Sequence, residues 1–471
     1  MQKLLTKIQE IALRKDIPLY VVGGAVRDRG LGLPSIDIDF ATPANGFMLC
    51  RDIALELKAT FVPLDEQEEI ARLVYRGLIL DFARFKGGVA TIEEDLGKRD
   101  FSINSIAVPL DGWLKSRDLS WAIDPFGGTD DLQDRMIRVT YAEAILDDPL
   151  RMIRGFRLLS LPDFCLDPSF LDDVHEHRAT IANVSVERIV SELHLIMMCG
   201  RAGEIISQMA ECGLLSEILL EVTAGQGVDQ PPSHHLDVFE HNLEALRCMD
   251  QIVANPRQFF PESAEIFHTY LQTPGRVLWL KWAALCHDIG KTMTFKETDG
   301  KITFYNHDHK GARIFHDMAK RLTFSNRDID QVTLLVSQHM RPFFLCNNLR
   351  EGGVSTKACL RLAKAVGDDL PGLFMLAMAD SLAGKGENKP ERMEEEISTL
   401  FELMHATIEE KIRPVLSGPP LLTGKDLIGV GLAPSPLFKE ILEEVEQLHV
   451  EGVLCDRDAA LLWLEKRERG V

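Results

Sequence analysis

Two aspartates two residues apart, Asp37 and Asp39, stand in the stretch Ile36-Asp37-Ile38-Asp39-Phe40. Alternating apolar and acidic residues read as a β-strand. Side chains two apart on a strand share a face, so both carboxylates point one way while Ile36, Ile38 and Phe40 turn to a core. Like charges held side by side call for a cation between them, and two divalent ions about 3.5–4 Å apart suit in-line phosphoryl transfer. Upstream, the apolar run 19–22 breaks at Gly23-Gly24. Residues without Cβ let backbone amides approach and cradle a polyphosphate. Asp81, in the strand-like stretch 78–85, is the candidate third carboxylate; pairing with a nearby arginine is the competing expectation.

Further along come Arg99, Asp100 and Asn104. Arginine grips phosphate bidentately, and Asp100 or Asn104 can accept from a ribose hydroxyl. Asp100 also reads as the cap of a helix over 101–108. Around Pro149, the residues Asp148, Arg151 and Arg154 are spaced three apart and read as one side of a helix. That pattern serves either a solvated salt bridge or the reading of a base edge. All fourteen histidines lie at or after His175, so the aspartate site works without histidine. In the C-terminal half, His241, His287-Asp288, His307, His339 and Asp380 each fall in a helical context. Imidazole nitrogen and bridging carboxylate oxygen suit one or two divalent transition ions. His234, His235 and His309 lie near them as supporting or surface residues.

The residues Gly23, Gly24, Val26, Arg27, Asp28, Asp37 and Asp39 resemble the nucleotidyltransferases of the polymerase-beta superfamily. More narrowly, they resemble the bacterial branch of tRNA CCA-adding enzymes and poly(A) polymerases. Arg99-Asp-Phe-Ser-Ile-Asn104 resembles that family's second motif, with Lys98 and Ser102 where Arg and Thr are usual. The resemblance implies ribose and triphosphate contacts from Arg99, Asp100 and Asn104, beside Gly23, Gly24 and Arg27. Residues 123–138 resemble the connector motif. Asp147-Asp-Pro-Leu-Arg-Met-Ile-Arg-Gly-Phe-Arg157 resembles the motif in which an Asp and an Arg, here Asp148 and Arg151, hydrogen-bond the Watson–Crick edge of the incoming base. Arg154 and Arg157 fall in the same nucleotide-binding stretch, and Asp147 replaces a usual Glu. The histidine–aspartate order of the second cluster resembles the metal-dependent HD phosphohydrolases, and residues 419–429 and 451–460 resemble the tail of the HD-bearing branch.

The resemblance implies template-independent addition of CMP and/or AMP to the 3′ end of tRNA, with CTP and ATP as substrates. Magnesium belongs at Asp37 and Asp39, and a divalent transition metal or magnesium at the second cluster. HD phosphohydrolase activity is a possible addition. Poly(A) polymerase is the alternative, and a hydrolase with an inactive head the next. The segment between Arg84 and Arg99 is short. In the resembling CCA-adding enzymes a longer loop there is implicated in the change from C to A, so a short one predicts addition of CC only.

The elements that must hold these residues follow from periodicity. Residues 2–15 and 47–58 read as amphipathic helices, 60–63 and 71–75 as strands, and 184–220 as strongly helical. Residues 223–233 read as a linker and 394–413 as one long helix. The expected fold is α+β: a nucleotidyltransferase head of mixed β-sheet with helices (1–140), then all-α neck (141–222), HD (234–393) and tail (394–471) regions. The net charge of −20 argues against broad non-specific nucleic-acid binding, while leaving room for a local basic surface. Scattered cysteines without a Cys-x-x-Cys pair, no signal pattern and no apolar run long enough for a bilayer point to a cytoplasmic protein with no membrane partner.

Overall fold

The computed structural model describes residues 1–35 and 37–468; Ile36, expected to face the core, lies outside them. The chain forms two compact units. The first holds residues 1–196 and 208–218, the second 197–207 and 219 onward. The boundary thus falls inside the segment read from sequence as neck.

The first unit is built on a six-stranded sheet in the order β3-β4-β5-β2-β1-β6. Its strands are β1 (Tyr20–Val22), β2 (Asp37–Thr42), β3 (Thr60–Asp65), β4 (Ile70–Tyr75), β5 (Leu78–Arg84) and β6 (Ala107–Pro109). Only β2 and β5 run parallel; the other pairs are antiparallel. Ile38 and Phe40 are buried and Phe40 stacks on Phe82, so the apolar half of β2 fixes which face carries Asp37 and Asp39. The helices Gln2–Arg14 and Gly46–Leu57 set their apolar sides inward. Gly46 permits this close approach, because a Cβ there would stand 2.8 Å from the backbone carbon of Ala83.

The helix expected over 101–108 does not form. A short turn, Ser102–Asn104, leads straight into β6. Ala107 and Val108 pair with Val22 and Val21 of β1, and this edge pairing outcompetes local helix formation at Ser105. Asp100 still accepts from the Phe101 amide, at 2.9 Å. The neck helices Leu150–Leu158 and Pro168–His177 meet where Gly155 lets Phe170 lie against the backbone. Phe170 in turn packs edge-on to Phe101.

The second unit is helical. Val238–Ala254, Arg276–Cys286, His307–Arg321, Asn326–Gln338 and Leu370–Ala383 pack around the histidine–aspartate cluster. The expected linker is not loose. Gln230 donates to the carbonyls of Leu236 and Asp237, and the Gly386 amide to that of Ser233. The expected helix 394–413 forms within an unbroken helical stretch, Met393–Thr407 continuing through a π-helical segment, Ile408–Ile412, into Arg413–Ser417. Pro414 removes an amide at that point. Lys281 and Asp250 form a buried ion pair at 2.6 Å, and Asp250 also accepts from the Gly203 amide at 2.8 Å. Leu427, Ile441, Ala460 and Leu464 form a separate small core near the C-terminus. None of the described helices is long and apolar enough to cross a membrane.

Candidate active site and metal centre

Asp39 of β2 lies directly across from Asp81 of β5, and Asp81 lies across from Arg72 of β4. Arg72 donates to both oxygens of Asp81, at 2.8 and 2.9 Å. Asp81 therefore stands beside Asp39, and it makes the arginine pair that was the competing expectation. The crowding of protein around Asp39, then the charge of Asp81, lifts its pKa above the ordinary aspartate value, with Arg99 pulling the other way. A Cβ on Gly23 would stand 3.5 Å from Asp39 Oδ2 and 3.6 Å from Arg99 Nη1. Gly23, at φ 69°, opens the helix Gly24–Gly30. A bare backbone, a carboxylate and a guanidinium thus converge on one space. Carboxylates such as Asp37 and Asp39 suit divalent ions, Asp81 is held by Arg72, and Gly23 with Arg99 suits phosphate.

Below this lies a charged network. Arg27 is bound to Asp28 and donates to Asn104 Oδ1 at 3.0 Å. Asn104 donates to Asp100 at 3.3 Å, and Arg154 grips Asp100 Oδ2 with two nitrogens at 2.9 and 2.5 Å. Arg154 and Arg157 both reach Glu192. Burial alone would raise the Asp100 pKa, but Arg154, Asn104 and the Phe101 amide outweigh it and hold it low. Arg154 and Arg157 are therefore braces of Asp100 and Glu192.

The expectation that Asp148, Arg151 and Arg154 share one helical side is corrected. Asp148 is extended (φ −145°, ψ 97°) and precedes the helix Leu150–Leu158. Pro149 disfavours helical geometry in the residue before it. Asp148 is bonded by Arg188 at 2.8 Å. Arg151 is 8% exposed and donates to Tyr141 Oη, Ala144 O and Lys98 O. Three of its five N–H groups are thereby used.

Sequence reasoning missed two residues here, Arg72 and Asp95. Asp95 is 1% exposed and bonds Arg99 and the Lys86 amide. A buried acid four residues before a predicted phosphate arginine was the available signal. For Arg72 no local signal existed, because strand register brings it to Asp81.

In the second unit the six predicted ligands do assemble. His241, His287 and Asp380 form one buried trio, and Asp288, His307 and His339 another. Asp288 lies between them. Its Oδ2 is 3.4 Å from His287 Nε2 and 3.6 Å from His241 Nε2, and its Oδ1 is 3.3 Å from His307 Nε2 and 3.7 Å from His339 Nε2. His307 Nδ1 and His339 Nδ1 each face a backbone carbonyl, at 2.8 and 2.7 Å. A carbonyl only accepts, so both rings carry the proton on Nδ1. Their Nε2 atoms then face each other at 3.2 Å. Burial, then neighbouring histidine charge, holds His339 at about 4, so its Nε2 presents a lone pair. This donor set fits a cation, with Nδ1 fixed by outer hydrogen bonds as in histidine–metal sites. Burial opposes charge on His287, but Asp288 and Asp380 lift it to about 10. Lys291 is paired with Asp288 at 2.5 Å and donates to Gln230 at 2.6 Å. His234 packs edge-on to His241, while His235 accepts from the Lys385 amide. A cavity of about 560 Å³ opens beside the cluster, lined by Lys291, Tyr305, His307, Phe344, Asp380 and Lys389.

Comparisons with known proteins follow this division. Residues 19–138 match the poly A polymerase head domain, 163–225 the probable RNA and SrmB-binding site of polymerase A, and 238–383 the HD domain. The chain is 30% identical over 442 residues to an A-adding tRNA nucleotidyltransferase of Deinococcus radiodurans, covering 92% of this chain and 91% of that one. It is 26% identical to a CC-adding tRNA nucleotidyltransferase of Synechocystis sp., covering 98% and 99%. Among solved structures, a CCA-adding enzyme with ATP superposes with a TM-score of 0.64 at 20% identity, covering 99% of this chain and 95% of that one. The Thermotoga maritima CCA-adding enzyme complexed with tRNA gives 0.61 at 19%, covering 99% and 95%.

Proposed function

Because this chain belongs to the tRNA nucleotidyltransferase family, we propose that it adds nucleotides from CTP or ATP to the 3′ end of tRNA without a template. One observation carries this reading: two aspartates on one strand face, with Gly23 and Arg99 converging beside them. Asp37 and Asp39 would hold magnesium, with Asp81 beside them; when bound, it acidifies the attacking hydroxyl and neutralises the leaving pyrophosphate. Arg99 takes up phosphate charge, and the Gly23-Gly24 backbone leaves room for it. Asp148 accepts from the exocyclic amine of cytosine or adenine, with Arg188 giving way, and Arg151 offers its two remaining N–H groups. This tRNA reading is favoured over poly(A) synthesis, and work on tRNA fits a cytoplasmic protein.

The chain performs one part of CCA completion rather than all of it. The turn after β5, Lys86–Gly88, is bonded at both its amide and its carbonyl. One fixed base-reading pair cannot serve a pyrimidine and a purine unless some element moves. The sequence argument favoured CC addition, and the A-adding relative makes the terminal adenosine the competing outcome. A tRNA ending before CCA and one ending in CC, each given CTP, ATP or both, with products resolved by length, test this. Two cytidines on the first and nothing on the second mark a CC-adding enzyme; one adenosine on the second alone marks an A-adding enzyme. All three residues on the first tRNA would overturn the partial reading, and long adenosine tails would overturn the tRNA reading.

The second unit binds divalent ions, a transition metal or magnesium, through His241, His287, Asp288, His307, His339 and Asp380, with Asp288 shared between the two trios. We further propose that it hydrolyses small phosphoesters admitted by the adjoining cavity, whose lysines suit phosphate and whose aromatic wall suits a ring.

A further inference from the structure

Among the buried acids of the first unit, Asp95 lies on neither the metal-facing strands nor the base-reading segment. Its Oδ2 accepts from Arg99 Nε at 3.1 Å and Nη2 at 2.9 Å. Two nitrogens of the guanidinium fork are thus fixed, and the third, Nη1, is the one at the lip formed by Gly23 and Asp39. The other oxygen, Oδ1, accepts from the Lys86 amide at 2.7 Å. Lys98 Nζ holds the Lys86 carbonyl at 3.3 Å. The turn closes through Gly87 (φ 64°) and Gly88 (φ 67°), both left-handed.

We infer that Asp95 is a positioning residue, which aims Arg99 at the nucleotide's phosphates and fixes the adjoining turn with its second oxygen. The inference rests on the reading of Arg99 as a phosphate contact. An unheld arginine samples many rotamers, whereas a bidentate carboxylate sets its plane and direction. With Nε and Nη2 fixed, only Nη1 faces the cradle, so the phosphate meets a donor already in place.

The test measures KM and kcat for the preferred triphosphate, inhibition by pyrophosphate, and melting, in wild type, Asp95→Asn, Asp95→Glu, Arg99→Ala and the Asp95→Asn/Arg99→Ala double variant. Asp95→Asn keeps an oxygen for the Lys86 amide but loses the charge on Arg99. The expected result is a rise of about tenfold in KM and in the pyrophosphate inhibition constant, with kcat within about threefold. Arg99→Ala raises both constants at least as far, and the double variant matches Arg99→Ala alone. Asp95→Glu, which keeps the charge but displaces the fork, raises both constants less than Asp95→Asn. If Asp95→Asn fails to fold, Asp95→Glu carries the test, and wild-type constants in it overturn the inference. Additive effects in the double variant, or lost stability with unchanged pyrophosphate inhibition, also overturn it. Unchanged inhibition in Arg99→Ala instead removes the phosphate reading of Arg99, and with it the aim ascribed to Asp95.

Discussion

Asp39 and Asp81 stand opposite each other on neighbouring strands, and Arg72 donates to both oxygens of Asp81. Asp39 Oδ2 and Arg99 Nη1 both border the space that a Cβ on Gly23 would fill. Asp37→Ala or Asp39→Ala is expected to reduce CTP and ATP incorporation to background. Stability should change by no more than about 1 kcal/mol, because either substitution also removes like-charge repulsion around Asp39. Incorporation assays beside melting curves check both halves, and near-normal incorporation would remove the two-aspartate assignment. Asp100 makes a pH prediction. Its folded pKa is depressed, because Arg154, Asn104 and the Phe101 amide outweigh burial. A depressed carboxylate stabilises the fold above its unfolded pKa, about 3.9, and that contribution is lost as pH falls through the folded value. Asp100→Asn should therefore cost most stability near pH 7, and its gap from wild type should narrow below pH 4. Urea midpoints at both pH values are the measurement; a constant gap would mean the cost is steric.

At the level of elements, the neck helix carrying Arg151, Arg154 and Arg157 is located by a missing side chain. A Cβ on Gly155 would stand 2.4 Å from Phe170 Cζ and 3.2 Å from Phe101 Cζ. Gly155→Ala should destabilise the first unit by about 1–3 kcal/mol through overpacking. It should also lower nucleotide incorporation, since Arg154 on that helix braces Asp100. Denaturant unfolding and steady-state kinetics of the variant give the two readouts; unchanged stability would show that Phe170 can move aside. The helices Gln2–Arg14 and Gly46–Leu57 and the strands β1 to β5 were legible from the residue pattern, whereas Pro168–His177 was not. The helix expected over 101–108 was not realised, because its apolar residues serve a strand partner, β1, that lies far away in sequence.

Across the whole molecule, the aspartate face and the histidine–aspartate cluster belong to two compact units. Asp288→Ala should lower divalent-metal content, read by elemental analysis of protein purified without added chelator, because its two oxygens face both trios. Equal metal in the two proteins would sink the proposed centre. By itself the sequence determined the strand bearing Asp37 and Asp39, the glycine turn before it and the histidine–aspartate set from His241 to Asp380 that the fold gathers. Each is written in the alternation or spacing of residues close in the chain, or in a family pattern. Tertiary structure alone decided that Arg72 reaches Asp81, that Asp148 leaves the helix of Arg151, and that one oxygen of Asp95 holds Arg99 while the other holds a turn. Periodicity fixes which way a side chain points from its own backbone. Which partner stands there is set by strand register and by the packing of segments dozens of residues apart, and no local pattern encodes that distance.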